Sequence, residues 1–411
     1  MKRHTRLFLF AVFLFPAVFA VLVALAVLPT IEDTWTVNAW DPDGIIVDDD
    51  YADCPNADAT TIQGGVDLAS PGEKIRVCPG TYAGGVIVDK AGVRLKGKGP
   101  LGAVKVVGTG GGGPKFGFTI TADNVRIERF EIKGFAGQHD ASGIFVGGLF
   151  AGDTANPADG AVIERNNIHD NGNGIYLWQS NGNRIRKNEV HHNKDNDGDE
   201  GTGVLSFNGF GDAQTLAANA AGRSGKNNEI SRNVVHDNDR LGIFAGACTE
   251  AAFGCVGPTG VHANISGTKI RYNDVFGNGA LGTTEGIGLL DAHGGRIEDN
   301  DVHDNKLHGI LINFSDGATV VENGASDNST AFPGFSGIRI NGSSGIVVNE
   351  NDTDDNGRGI RMTGSTGGVF KKNSAFGNAV VDLDWDSTGV HTFSKNKCGT
   401  AIPSKAAWDC T

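Results

Sequence analysis

The chain has few aromatic residues, few methionines and no long apolar run after its first 28 residues. Aromatic residues make up 8% of the 411 residues and Met occurs 2 times, whereas Gly occurs 62 times. The remaining apolar runs are short and are separated by Gly, Asn and Asp. This composition excludes a mainly helical chain and indicates short strands joined by turns. The length favours one long all-β domain over several small ones.

Positive charge is also in deficit. The chain has 35 Lys and Arg residues against 48 Asp and Glu residues, a formal net charge of −13. Because duplex nucleic acid is bound mainly through its phosphates, this balance argues against a nucleic-acid partner. The glycine-rich run at residues 108–113 lacks the Lys-Ser/Thr ending and the following helix of a phosphate-binding loop, which argues against nucleotide binding.

Residues 1–28 have the pattern of an export signal. A basic start precedes an unbroken apolar stretch at residues 7–28, and the sequence Ala24-Leu25-Ala26 offers a small-x-small cleavage site. The stretch is also long enough to span a bilayer, so an uncleaved N-terminal anchor stays open as the alternative. Either way the body of the protein, which follows a linker at residues 29–44, is predicted to be secreted or at the cell surface.

Six cysteines in an exported chain predict three disulfides. No pair of cysteines has the two-residue spacing typical of zinc sites. Six cysteines allow fifteen pairings, and we expect the neighbours to pair as Cys54–Cys78, Cys248–Cys255 and Cys398–Cys410. The third disulfide would close a C-terminal tail at residues 397–411.

One six-residue motif, Asn-x-(apolar or small)-x-x-Asn, occurs eight times. The copies begin at Asn166, Asn188, Asn233, Asn273, Asn300, Asn323, Asn351 and Asn373. An apolar residue stands three positions before each copy, and a Gly-aliphatic pair follows most copies. Repeats of about 20–30 residues built from short strands predict a solenoid. With coils about 4.8 Å apart, the Asn side chains would form ladders that bond one another and the turn backbone.

This pattern resembles the right-handed parallel β-helix of the pectin-lyase-like superfamily, and the resemblance covers residues 45–396. The fold class it implies is all-β, a single-stranded right-handed parallel β-helix, which we expect to be a monomer. Thr60 or Thr61 is expected to cap a short N-terminal helix with Ile62 and Val66 on its buried face. Such a helix would close the open end of the first coil.

The residue before each first Asn is predicted to point outwards, which makes a column along the solenoid. The column reads Arg129, Arg165, Lys187, Arg232, Tyr272, Asp299, Glu322, Glu350 and Lys372. Four stacked cations repel one another unless nearby acids neutralise them or a polyanion lies across them. Two interpretations stay open: a solvated charged face, or a binding strip in which Arg129 and Arg165 contact an acidic polysaccharide.

A second column contains histidines. Its members are His169, His191, His236, Phe276 and His303. Because Asp and Asn after a His bond nearby turn backbone, most of this column is predicted to be structural. His191 differs, since His192 and Lys194 follow it closely. We predict Lys187 or His191 as a catalytic base, with Arg232 as a further catalytic residue.

An acidic loop follows these histidines. Asp195, Asp197 and Asp199 stand at alternate positions around a Gly, which resembles the first half of a calcium loop. The bidentate Glu expected later in such a loop has no counterpart at residues 201–208. Calcium at the three Asp residues is the predicted cofactor, and a plain acidic loop is the alternative.

Aromatic residues cluster on the strands that begin with the Gly-aliphatic pairs. They include Tyr176, Trp178, Phe207 and Phe244. Exposed rings on stacked coils suit the flat faces of sugars, so these four residues are predicted to bind substrate. The alternative is a satellite core beneath the long insertions that begin at residues 147, 208 and 246.

No complete catalytic motif of the pectin-lyase-like enzymes is present. The Asp-Pro-His of alginate epimerases and the Gln-Asp-Thr of pectinesterases are missing, as is the ordered polygalacturonase series. With these motifs missing, the remaining similarity is to calcium-assisted polysaccharide lyases, in which a base removes the proton beside a uronate carboxyl. The predicted function is binding of acidic polysaccharide, with lyase-like cleavage as its enzymatic form. A non-enzymatic surface protein is the alternative, and metal delivery is disfavoured because only 2 Met are present.

Overall fold

Alternation of aliphatic and polar residues places one side of each short strand in a common interior. The computed structural model describes residues 44–109, 113–138, 140–147, 158–194, 201–207, 225–246, 265–280 and 285–411. Each coil passes through three parallel sheets, here named A, B and C in chain order, and each strand pairs with the equivalent strand of the next coil. The predicted parallel β-helix is confirmed.

The strands are three to six residues long with a few shorter ones. Sheet A consists of β1 Ile45–Val47, β2 Lys74–Val77, β5 Arg94–Gly97, β8 Arg126–Glu128, β11 Val162–Glu164, β14 Arg184–Arg186, β17 Glu229–Ser231, β21 Lys269–Arg271, β25 Arg296–Glu298, β28 Thr319–Val321, β31 Val347–Asn349, β34 Val369–Lys371 and β37 Thr392–Ser394. Sheet B consists of β3 Gly80–Ala83, β6 Val104–Val107, β9 Glu131–Lys133, β12 Asn167–His169, β15 Glu189–His191, β18 Val234–His236, β22 Asp274–Phe276, β26 Asp301–His303, β29 Gly324–Ser326, β32 Asp352–Asp354, β35 Ser374–Phe376 and β38 Lys397–Cys398. Sheet C consists of β4 Val86–Val88, β7 Phe116–Ile120, β10 Ser142–Val146, β13 Asn173–Trp178, β16 Val204–Phe207, β19 Ile243–Gly246, β23 Ile287–Leu290, β27 Ile310–Asn313, β30 Ser336–Asn341, β33 Arg358–Thr363, β36 Val381–Trp385 and β39 Ala401–Ile402. A small additional pair joins β20 Ile265–Ser266 to β24 Ala292–His293.

The interior is a continuous hydrophobic core made of stacked aliphatic side chains. In sheet A, Ile127, Ile163, Ile185 and Ile230 lie in register on successive strands, and each is 0% exposed. The two residues that flank each buried isoleucine point to the outside of the solenoid. These outer positions are therefore the ones that can carry charge without disturbing the core.

The repeated Asn residues form two buried ladders in the turns on either side of sheet B. In the first ladder, Asn188 Nδ2 and the Asn188 backbone N–H donate to Asn233 Oδ1 at 3.1 and 3.0 Å. In the second, Asn193 Nδ2 donates to Asn238 Oδ1 at 2.8 Å. The ladders give partners to turn amides that burial removes from water. The predicted Asn ladder is confirmed.

Both ends of the solenoid are covered. Helix α1, Ile62–Leu68, begins after Thr61, whose hydroxyl accepts a hydrogen bond from the Gly64 backbone N–H at 3.0 Å. The helix packs its buried side onto the first coil, as predicted. At the other end, the fully buried Trp408 packs against Phe370, which lies inside the last coils.

Two of the three predicted disulfides are present. Cys54–Cys78 and Cys398–Cys410 have Cα–Cα distances of 6.4 and 5.9 Å. Sheet B continues to Cys398 and sheet C to Ile402, which is beyond the predicted solenoid boundary at residue 396. The repeat conceals the last coil because Ala401 stands five residues after Asn396, where a second ladder Asn would be.

Several predictions concern residues outside the described ones. They are the signal or anchor at 1–28, nearly all of the linker at 29–44, the calcium ligands Asp195, Asp197 and Asp199, and the disulfide Cys248–Cys255. Within the described part of the chain, no helix is long and apolar enough to cross a membrane.

Candidate functional site

The outer surface of sheet A carries a dense group of basic side chains, which we call the basic face. It consists of Lys74, Arg76, Arg94, Lys96, Arg126, Arg184, Arg186, Lys269, Arg271 and Arg296. The outer surface of sheet A also carries four acidic residues: Glu128, Glu164, Glu229 and Glu298. A protein with a net charge of −13 thus concentrates positive charge on one sheet.

Two nearly buried carboxylates hold the basic face together. Glu164, whose side chain is 5% exposed, lies 2.7 Å from Arg186 Nε and 3.4 Å from Arg126 Nη2. Glu128 lies 3.3 Å from Arg165 Nη1 and also pairs with a lysine of strand β5. Because one carboxylate neutralises only one of its two cationic partners, net positive charge remains on the surface.

A similar arrangement supports the far end of the basic face. Arg271 lies 2.8 Å from Glu229 and 3.7 Å from Glu298. Burial opposes ionisation of Glu229, but hydrogen bonds from Arg271 and Ser231 outweigh burial and lower the pKa of Glu229. The hydrogen bond to Glu229 in turn raises the pKa of Arg271. Both groups are therefore charged at neutral pH.

A recess interrupts the basic face between two arginines. Arg94, Arg126, Val162 and Arg184 occupy equivalent positions on four successive strands. Val162 is short and uncharged where its neighbours are long and cationic, which leaves space between them. The resulting cavity of about 340 Å³ is lined by Arg94, Asn124, Arg126, Gly160, Val162, Gly182 and Arg184. Three guanidinium groups around a recess suit an anionic ligand.

The predicted column of outward residues lies along the corner between sheets A and B, beside the basic face. The backbone at four of these positions is left-handed, which points each side chain away from the core. The φ values are 67° at Arg129 and 56° at Arg165, Lys187 and Arg232. Arg165 pairs with Glu128, as described above, and the Arg232 guanidinium lies 5.1 Å from the ring centroid of Tyr272. Among the described residues, Lys187 forms no ion pair.

The charge of both surfaces changes towards the C-terminal end. The corner column continues with Asp299, Glu322 and Glu350, and Lys372 lies 2.5 Å from Glu350. On the outer positions of strands β28, β31, β34 and β37, the basic residue present is Lys371. The positive region therefore covers the N-terminal part of the solenoid.

The histidine column forms a ring stack on the outer face of sheet B. The ring centroids of His191 lie 4.9 Å from those of His169 and of His236, with interplanar angles of 9° and 2°. Phe276 stacks on His236 at 4.8 Å and on His303 at 5.0 Å. His169, His236 and His303 each contact the following Asp through Nδ1, so these carboxylates bond the ring, where the sequence predicted bonds to turn backbone.

His191 has different partners. Its Nε2 lies 2.9 Å from Asn167 Oδ1, and its Nδ1 lies 2.7 Å from His192 Nδ1. Burial, together with the charges of His169 and His236, lowers the pKa of His191 to about 4. The ring is therefore neutral at neutral pH, as a general base requires.

The three predicted catalytic residues are not gathered at one point. Lys187 and Arg232 lie on neighbouring coils, because the Lys187 backbone N–H donates to Ser231, the residue before Arg232, at 3.2 Å. His191 lies at the far end of strand β15, on the outer face of sheet B. The structure thus groups Lys187 with the arginines of the corner and separates His191 from them.

The aromatic side chains of sheet C form a cluster of their own, outside the main core. Tyr176 is 2% exposed, and Trp178 and Phe207 are each 9% exposed. Tyr176 contacts Trp178 with a centroid distance of 6.0 Å, and Trp178 contacts Phe207 at 5.8 Å. Phe244 is half-buried and packs against this cluster. The expectation that these rings are exposed is wrong, because they pack on one another; a satellite core, the alternative, is what the structure shows.

Three groups of described side chains could hold a metal ion. Ligand atoms lie within 4.8 Å of one another in the groups Asp48, Asp49 and Asp50; Asp274, Asp301 and His303; and His192, His236 and Asp237. The first group lies at the N-terminal end of the solenoid and the other two lie beside sheet B. The predicted calcium ligands lie outside the described residues.

The basic face itself was missed by the sequence analysis, although a signal for it exists. Strands such as Arg184-Ile185-Arg186 and Lys269-Ile270-Arg271 place a cation on each side of a buried isoleucine. The residues that directly precede each ladder Asn form the corner column. The two outer positions of the preceding strand of sheet A form the basic face. The two sets together make one surface.

The family described as "Right handed beta helix region" matches residues 118–255 and 259–402. No curated protein matches the sequence. Among solved structures, the A-module of mannuronan C-5 epimerase AlgE6 from Azotobacter vinelandii is similar with a TM-score of 0.60 and 17% identity, covering 83% of this chain and 89% of that one. The periplasmic alginate epimerase AlgG is similar with a TM-score of 0.51 and 14% identity, covering 82% of each chain. At these identities the likeness concerns the fold.

Proposed function

Because the chain belongs to the right-handed β-helix family, we propose that it binds acidic polysaccharide along the basic face, outside the cytoplasm. The observation that carries the proposal is the concentration of basic side chains on sheet A of a protein whose net charge is −13. Coils repeat about every 4.8 Å, so cations recur at a short regular interval. That arrangement suits a linear polymer with a carboxylate on each sugar.

The recess is the centre of the proposed binding surface. Arg94, Arg126 and Arg184 surround it, and guanidinium groups bind carboxylates through paired hydrogen bonds. Arg165 and Arg232 would extend the contacts along the adjoining corner. The buried cluster of aromatic residues has no part in this surface.

Two further facts support an acidic polysaccharide as the ligand and a location outside the cytoplasm. The two solved structures described above are named for mannuronan and for alginate, and one of them is named as periplasmic. The disulfides Cys54–Cys78 and Cys398–Cys410 suit an oxidising compartment.

Cleavage by β-elimination is the enzymatic form of the proposal. A base would take the proton next to the uronate carboxyl, a double bond would form, and the glycosidic C–O bond would break with the leaving oxygen taking a proton. Lys187 lies on the corner beside the arginines and forms no ion pair among the described residues, so we propose it as the base in preference to His191. Calcium at Asp195, Asp197 and Asp199 stays a proposal whose test is calcium titration of the Asp197→Ala variant.

The test is a binding titration of the purified protein with a polyuronate and with a neutral glucan, at increasing salt. The polyuronate should bind and the glucan should not, and affinity should fall with salt because charges are screened over about 10 Å at 0.1 M. Absorbance of the unsaturated product reports any cleavage in the same samples. Equal binding of both polymers, unaffected by salt, would contradict the proposal.

A further inference from the structure

One coil of the solenoid breaks the rule that a histidine of the ring stack is followed by an aspartate. Asp170, Asp237 and Asp304 follow their histidines with φ values of 53°, 51° and 55°. His192 occupies the same turn position with a φ of 52°. Asn, Asp and His are the residues other than Gly that are enriched in a left-handed conformation, so this turn accepts His192, which replaces the carboxylate that the other turns supply.

The consequence is a close pair of imidazoles. His191 Nδ1 lies 2.7 Å from His192 Nδ1. On its other side, His191 Nε2 lies 2.9 Å from Asn167 Oδ1. Because an amide oxygen only accepts, Nε2 carries the proton and Nδ1 of the neutral ring presents a lone pair towards His192. A histidine whose second nitrogen donates to an oxygen is the usual arrangement of a metal ligand.

Further ligands converge on the same place from the next coil. His236 stacks on His191 at 4.9 Å, and the ligand atoms of His192, His236 and Asp237 all lie within 4.8 Å of one another. His192 and Asp237 are exposed, so their side chains can rotate to close the remaining distance. In the structure His236 Nδ1 lies 2.8 Å from Asp237 Oδ2 and the His236 ring is parallel to that of His191, so the His236 ring must turn out of the stack to share a metal ion with His191.

We propose that His191, His192, His236 and Asp237 form a binding site for a divalent transition-metal ion. Three imidazole nitrogens and one carboxylate oxygen are a donor set of Zn²⁺ and its neighbours, whereas Ca²⁺ and Mg²⁺ prefer oxygen throughout. Tetrahedral coordination with Zn–N bonds near 2.05 Å separates two nitrogens by about 3.3 Å, so the imidazole pair opens by a few tenths of an ångström.

The group around His303 is a natural comparison within the same column. His303 Nδ1 lies 2.8 Å from Asp304 and its Nε2 lies 3.2 Å from Asp274. Its group, Asp274, Asp301 and His303, offers one imidazole and two carboxylates, so it is richer in oxygen than the proposed site and suits a transition-metal ion less well. The two sites therefore lie in one column and differ in the number of imidazole nitrogens that they offer to a metal ion.

The test is calorimetric titration of the full, tag-free protein with Zn²⁺. We expect one ion per chain, and binding should be abolished in His192→Asn, because Asn removes the imidazole, adds no carboxylate and tolerates the left-handed turn conformation. Asn167→Ala should weaken binding on the order of tenfold, because it releases the orientation of His191. His303→Gln should bind Zn²⁺ like the unmodified protein.

Competition with excess Ca²⁺ distinguishes the proposed nitrogen-rich site from a site made of oxygen ligands. We expect the bound Zn²⁺ to resist displacement by Ca²⁺. Unchanged Zn²⁺ binding in His192→Asn, loss of binding in His303→Gln, or displacement by Ca²⁺ would each overturn the proposal. Circular dichroism of every variant shows whether the solenoid is intact.

Discussion

Val162 lies in register with Arg184, its partner on the next strand of sheet A, and with Arg126 on the strand before. It is the uncharged position that opens the recess in the basic face. We predict that Val162→Glu weakens polyuronate binding by about tenfold or more, because a carboxylate would then occupy the place proposed for the ligand's own carboxylate. Titration of both proteins with the polymer measures the change.

Val347 provides a matched control for this substitution. It occupies the same outer position on strand β31, beyond the positive region, and is 37% exposed. Val347→Glu adds the same charge to the same sheet and should leave binding nearly unchanged. If both variants lose affinity equally, overall charge decides binding and the recess has no special part.

Lys187 is expected to matter for cleavage more than for folding. If the protein cleaves a polyuronate, Lys187→Ala should reduce turnover by about 100-fold or more, because the proton acceptor is removed. The melting temperature should change little, since the side chain is exposed. Lys372→Ala, in the same column but paired with Glu350, should retain activity. Equal losses from both substitutions would favour a solvated charged face without a localised site.

The repeated Asn motifs predicted the solenoid because their spacing follows from the geometry of the turns, which recur once in each coil. Each Asn must bond the Asn of the next coil, as Asn188 does to Asn233, so the constraint repeats and is visible in the sequence. The last coil was missed for the same reason, since Ala401 interrupts the pattern while the backbone continues. Fold prediction was thus limited by the loss of a marker residue.

The sites were harder to predict because outer positions obey no packing rule. Trp178 and Phe207 lie on outer positions and were expected to be exposed, but they bury one another. Whether rings on neighbouring coils contact each other depends on their rotamers and on the insertions, and spacing in the sequence determines neither. Glu164 likewise pairs with both Arg126 and Arg186, which lie on different strands that are distant in sequence.

The ladder should contribute measurably to stability. Asn233 Oδ1 accepts from the backbone and side chain of Asn188, and its Nδ2 donates to Ile185 O and Asn273 Oδ1. Asn233→Ala leaves these buried groups unpaired, so we expect a loss on the order of 3 kcal/mol in the free energy of unfolding. Asn349→Ala, on a half-exposed strand position, should cost less than about 0.5 kcal/mol. Denaturant unfolding of both variants measures the difference. Similar losses of unfolding free energy would show that a ladder Asn contributes no more to stability than an Asn at the surface.

The ring stack should make the stability of the protein depend on pH, with opposite signs at two of its members. The pKa of His191 falls from 6.5 to about 4 on folding, so the unfolded chain binds the proton more readily between these values. Stability should therefore fall as pH decreases from about 6.5 to about 4. Burial lowers the pKa of His303, but hydrogen bonding to Asp304 and the charges of nearby Asp residues outweigh burial and raise it.

Thermal unfolding of His191→Gln and His303→Gln at pH about 7 and about 4.5 separates the two contributions. His191→Gln removes a group that resists protonation in the folded state, so the drop in melting temperature on acidification should become smaller. His303→Gln removes a group that folding helps to protonate. Its stabilising contribution is present at low pH and is lost as pH rises through the raised pKa, so the drop should become larger. Identical pH dependence in both variants would mean that the two rings share one environment, against the different partners that Asn167 and Asp304 provide.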